Sequence, residues 1–136
     1  MLDDTDTVLI TLNHLFNETN ALYSKIAAEL DLPESSFYVL YTLSVLATGS
    51  VYGAMFNEIS AVNVILRRGF VSLQRAPDSK RKKTVCLTKM GTDFVIHNIL
   101  PLRKAERNAC LRLHSDERRV FLRCRKNILR NYRQNC

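Results

Sequence analysis

At 136 residues, with 46% hydrophobic and 24% charged side chains, the chain is long enough to bury one core and too apolar to stay disordered. No apolar run approaches the roughly 18 residues of a membrane span, and the acidic start MLDDTDTVLI is the reverse of a basic secretory leader, so a cytoplasmic protein is expected. The net charge of +7 conceals a division: residues 1–66 hold eight acids and one base, whereas residues 67–136 hold nineteen bases and five acids.

In chain order, residues 7–30 place Val8, Leu12, Leu15, Phe16, Leu22, Tyr23, Ile26 and Leu30 at helical spacings, which predicts an amphipathic helix. Pro33 closes the connection after it. ESSFYVLYTLSVLATG offers Ser35 or Ser36 as N-cap, a helix apolar enough to be buried nearly all round, and Gly49 as its stop. NEISAVNVILRRG supplies a short helix that starts near Ser60, buries Val62, Ile65 and Leu66, and ends at Gly69. From Phe70 the period changes. FVSLQ and TVCLT read as two strands, and RAPDSKRKK between them, with the turn signal Pro77-Asp78-Ser79, is a long basic tip. Thr88 caps a helix carrying Met90, Phe94, Val95 and Ile99, which Pro101 kinks or divides. The last helix starts at Ser115 as N-cap, with Asp116 and Glu117 in its first turn, and offers Val120, Phe121, Cys124, Ile128 and Tyr132 as a stripe for burial.

A short helix leading into a basic two-stranded wing is an arrangement that suits duplex DNA. The helix fits the major groove and the charged tip reaches phosphates or the minor groove. The segregated charge agrees, since an anionic partner facing the second half is expected to be nucleic acid; over residues 103–133 a solvated helix face accounts for it equally well. An enzyme is not expected. His14, His97 and His114 lie far apart, and the four glycines form no phosphate-cradling pattern. Neither a metal nor another cofactor is implied, because Cys86, Cys110, Cys124 and Cys136 include no C-x-x-C. They read as reduced thiols, of which Cys124 has the cationic neighbours a redox sensor needs.

Three strings carry a resemblance to a known family: Arg67-Arg68-Gly69-Phe70-Val71, then Asp78 and Arg81, then Leu87-Thr88-Lys89-Met90-Gly91. Together they resemble the end of the recognition helix, the wing and the L-T-x-x-G helix start of the MarR family of winged helix-turn-helix transcription regulators. LDLPESSFYVLYTL and LHSDERRVFLRCRKNIL resemble its second and closing helices, so the likeness spans nearly the whole chain. It implies one domain over residues 1–136, mainly α with a small β-hairpin wing. Residues 34–91 would form the winged helix-turn-helix lobe, and residues 7–30 and 92–136 the helical dimerisation platform. It also implies a homodimer that binds double-stranded DNA and is relieved by a small aromatic or lipophilic effector, with no membrane partner.

On this basis Ser60, Asn63, Arg67, Arg75, Asp78, Lys80, Arg81 and Lys82 are the expected DNA-binding residues, and His14, Phe16, Phe37 and Tyr41 the expected effector-binding ones. In the resemblance Arg81 takes the wing-tip position that enters the minor groove. Asp78 stands three residues before it, one more than the family's spacing. A larger departure lies between Gly49 and Gly69, where nineteen residues intervene. Two helices and a 3–4 residue turn need about 25 or more, which implies an abbreviated lobe or a break in the chain between Gly49 and Asn63. Two other readings stay open: a nonspecific or shape-reading nucleic-acid binder, and a protein-interaction module that keeps the fold without operator binding.

Overall fold

The structure, a computed structural model, describes residues 3–45, 50–52, 59–75 and 83–135. Its elements run α1 (Asp4–Glu29), α2 (Glu34–Val45), β1 (Ser50–Tyr52), α3 (Ile59–Arg67), β2 (Val71–Arg75), β3 (Lys83–Leu87), α4 (Lys89–Asn98), α5 (Leu100–Leu111) and α6 (Ser115–Gln134). The chain divides into two compact units, Met1–Asn98 and Ile99–Cys136.

In the first unit, α1 begins three residues earlier than the apolar periodicity suggests because Asp3 caps it. The Asp6 amide donates to Asp3 Oδ1 at 2.9 Å and the Asp3 amide donates back to Asp6 Oδ2 at 3.4 Å, a reciprocal box that also places acids at the positive end of the helix. The helix stops where Asp31 enters the left-handed region at φ 57. There the Asp31 amide donates to the Ala28 carbonyl and the Leu32 amide to that of Ala27, the paired reversal that usually employs glycine. Pro33 follows, and its carbonyl accepts from the Phe37 amide at 3.0 Å to open α2. The expected serine cap is therefore displaced. Ser36 lies inside α2, fully buried, and its hydroxyl donates to the Ala61 carbonyl at 2.8 Å, tying α2 to α3.

Phe37, Leu40 and Leu43 of α2, Ile65 of α3, and Val85 of β3 are almost wholly buried and form the centre of this unit with Ala61, Val71 and Val95. The sheet order is β1-β3-β2, all antiparallel, with Val51 opposite Val85 and Leu73 opposite Val85 on the other side. The two-stranded wing foreseen from the sequence thus has a third strand. Residues 50–52 pair with the edge of β3 that β2 leaves open. Residues 46–49 and 53–58, and with them the expected break, lie outside the described residues.

The junction around the wing is tightly bonded. Gly69, at φ +80, ends α3 with its amide donating to the Leu66 carbonyl and the Phe70 amide donating to that of Ile65. Eighteen residues further on, the Thr88 amide donates to the Phe70 carbonyl at 3.0 Å. The Thr88 hydroxyl donates to the Gly69 carbonyl and accepts from the Gly91 amide at 3.0 Å, so Thr88 caps α4 as expected. The Phe70 ring stacks on Phe94 with centroids 4.3 Å apart.

In the second unit α5 starts at Leu100 with Pro101 in its first turn, where the missing amide costs nothing; the single long helix is divided there. α6 is capped one residue earlier than expected, by His114, whose amide donates to Glu117 Oε1 at 2.9 Å. Arg118 Nη1 donates to the carbonyls of Leu113 at 2.6 Å and Cys110 at 3.3 Å, closing the α5–α6 turn. Neither helix has a buried residue. The stripe of Val120, Phe121, Cys124, Ile128 and Tyr132, expected to be covered, is exposed in the single chain. No helix among the described residues is long and apolar enough to cross a membrane.

Candidate nucleic-acid interface

α3 has two distinct sides. Ala61, Val62 and Ile65 face the core, while Ser60, Asn63 and Arg67, at i, i+3 and i+7, are all exposed and share the opposite side. Asn63 offers one donor–acceptor amide and Arg67 a guanidinium fork, the side chains suited to adenine, guanine or phosphate. Arg67 Nε donates to the Asn63 carbonyl at 3.3 Å, which leaves its terminal nitrogens for a ligand. Beyond the Gly69 reversal the chain runs directly into β2, whose last residue, Arg75, is exposed and paired in register with Lys83 of β3. Asp78, Lys80, Arg81 and Lys82 lie outside the described residues.

Arg68, the other half of the Arg67-Arg68 pair, has a structural task. Its Nη1 donates to the Asp31 carbonyl at 2.8 Å and its guanidinium lies 5.0 Å from the centre of the Phe70 ring. It fastens the α1–α2 turn to the end of α3. Spacing alone did not separate the two arginines.

The residues expected to bind an effector fall into two groups. Phe37 is fully buried and shares an aromatic cluster with Tyr23, Tyr38 and Tyr41, at centroid distances of 5.9 to 6.2 Å. His14 and Phe16 are exposed on α1, with His14 Nε2 2.9 Å from Glu18 Oε1. The structure brings Phe37 and Tyr41 together. A separate cavity of about 150 Å³ lies between the start of α2 and α3, lined by Pro33, Ser35, Ser36, Ser60, Ala61 and Val64. Among the described residues Cys86, Cys110 and Cys124 are free, and no cluster of three or more ligating side chains could hold a metal.

No protein-family model and no curated protein matches the sequence. Solved structures do. AbsC from Streptomyces coelicolor, a MarR family transcriptional regulator, is 13% identical with a TM-score of 0.65, and the match covers 98% of both chains. A MarR protein from Peptoclostridium difficile is 14% identical with a TM-score of 0.67, covering 99% of this chain and 94% of that one. Sco3205, also from Streptomyces coelicolor and solved in complex with DNA, is 14% identical with a TM-score of 0.63, covering 96% and 90%. The chain has the MarR fold.

α3, β2 and β3 follow one another as a helix and a two-stranded antiparallel pair. In sequence, six residues, 53–58, separate β1 from the nine-residue α3. A helix-turn-helix needs a support helix and a 3–4 residue turn ahead of the recognition helix, and six residues are too few for both.

Proposed function

We propose that this chain is a double-stranded DNA-binding transcription regulator that acts in the cytoplasm as a homodimer. The observation that carries the reading is the exposed row Ser60, Asn63 and Arg67 on α3, which leads through the Gly69 reversal into β2 and its exposed last residue, Arg75. Such a helix reads base edges while the wing, with Lys80, Arg81 and Lys82, holds phosphates or the minor groove and Asp78 orients the arginines beside it. The DNA complex of Sco3205, which shares the fold, supports the assignment. Dimerisation is supported by the exposed apolar faces of α1 (Val8, Leu15, Phe16, Leu22) and α6 (Phe121, Leu122, Leu129, Tyr132), since contiguous apolar surface of this kind marks an interaction site. We assign the relief of DNA binding to an aromatic or lipophilic effector, taken up by His14 and Phe16 of α1 and by Phe37 and Tyr41 beside Tyr23. Repression is the simplest outcome of such a device.

The test is binding to promoter duplexes from the protein's own genomic neighbourhood, with excess unrelated DNA as competitor and with and without aromatic ligands. A site protected against competitor supports the reading; equal loss on every sequence opposes it. The short β1–α3 interval favours a second reading, a binder of duplex shape and charge with little base selection, which the same competition experiment separates.

A further inference from the structure

The net positive charge of the chain resides in the second unit. The first unit, Met1–Asn98, holds nine bases and ten acids; the second, Ile99–Cys136, holds eleven bases and three acids. The 38-residue helical pair therefore carries a net +8 against −1 for the other 98 residues, more than the whole net charge of the chain.

Within α6 the bases are ordered. Arg119, Arg123, Lys126, Arg130 and Arg133 recur at steps of four, three, four and three residues, which places them in one straight row about 21 Å long. All five are exposed. The opposite side of the helix, about 180° away, bears Phe121, Ile128 and Tyr132, while Leu122 and Leu129 stand on the flank, about 60–80° from the row; association centred on Phe121, Ile128 and Tyr132 leaves the row free. No acid occurs after Glu117. Arg119 is paired with Asp116 at 2.6 Å, and Arg130 bonds only the neutral Asn127, at 2.8 Å. Arg123, Lys126 and Arg133 have no hydrogen-bond or ion-pair partner among the described residues. Neighbours of like charge at i,i+3 and i,i+4 each destabilise the helix by some tenths of a kcal/mol, and the row contains four such pairs. An extended anion would remove that cost. The acids of the described chain form no matching row: Asp3 and Asp6 are engaged in capping α1 and Glu18 faces His14.

We propose that this face of α6 is a second DNA-contacting surface, which holds the phosphate backbone of duplex DNA without base selection. A row of cations at intervals of about 5 Å on a rigid rod suits a stiff duplex, whose phosphates are regularly spaced. The inference does not depend on the wing and α3 reading bases.

The experiment uses the full chain and a fluorescent duplex of arbitrary sequence, titrated between 50 and 200 mM salt. Each phosphate neutralised contributes about 0.9 to the slope of log K against log salt. Arg123→Gln/Lys126→Gln/Arg130→Gln should lower the slope by about 2.7 and weaken binding at least tenfold at 100 mM salt (an order-of-magnitude expectation), whereas Arg123→Lys/Arg130→Lys retains the slope. An unchanged slope in the triple variant overturns the proposal. So does loss of the dimer in that variant by light scattering, which would assign the row to the contact between copies. In the wild-type protein the duplex should protect the Lys126 amine from acetylation; equal labelling with and without duplex overturns it as well. Failure of operator recognition with an intact arbitrary-duplex slope would remove the proposed function and leave this surface standing.

Discussion

Gly91 is seated on the carbonyl of Phe70. A Cβ at Gly91 would lie 1.8 Å from that oxygen and 2.7 Å from its carbon, inside any van der Waals contact, and the oxygen is already held by the Thr88 amide. Gly91→Ala should cost at least about 2 kcal/mol, because backbone must move to admit the methyl. Gly69→Ala should cost about 1–2 kcal/mol, from conformation alone; its added methyl would find Met90 Sδ at 3.5 Å, an ordinary contact. Urea unfolding of the two variants checks the order, and equal midpoints would contradict it.

Ser36→Ala leaves the Ala61 carbonyl without its buried donor. The expected loss is about 1–3 kcal/mol, with Ser36→Thr or Ser36→Cys recovering little because the site is fully buried. Thermal unfolding provides the measurement; a shift within error of wild type would mean that the bond is replaced by solvent.

The exposed apolar faces of α1 and α6 predict a particle of about twice 15.6 kDa by light scattering at micromolar concentration. Phe121→Asp with Leu129→Asp should return it to the monomer mass, because charged groups would replace apolar contact. A wild-type monomer would oppose the dimer outright.

Asn63→Ala and Arg81→Ala should act differently on an operator. Asn63 is placed to read a base, so its loss should reduce discrimination between operator and unrelated DNA by about 1–3 kcal/mol while leaving the salt slope unchanged. Arg81 should weaken binding to all duplexes and lower the slope by about 0.9. Identical effects from the two would favour the shape-and-charge reading.

The sequence was most informative where local chemistry leaves few choices. Gly69 and Thr88 announced a helix end and a cap, and the structure joins the two through Phe70; the close approach at Gly91 became visible only in the structure. It was least informative where a partner lies far along the chain. Nothing local to Ser36 indicates that its hydroxyl crosses to a carbonyl 25 residues away, so it passed for a helix cap. Arg67 and Arg68 look alike in sequence, yet only Arg68 reaches back 37 residues to the Asp31 carbonyl. Residues 50–52 were missed as a strand because three residues carry no readable period, and their pairing with β3 is set by the sheet edge. For the expected site, Ser60, Asn63 and Arg67 could be put on one face from their spacing alone.

The bonds from Thr88 to Gly69 and Phe70 clip together the two ends of the hairpin. The bonds close the hairpin at its base, so a change in the length of the segment between Arg75 and Lys83 need not reach the helices on either side. Lengthening such a loop twofold costs only about 0.6 kcal/mol. The reach of the wing is thus free to drift between descendants of this chain, or to be reset by an engineer splicing in another tip, while the body that carries it stays as it is.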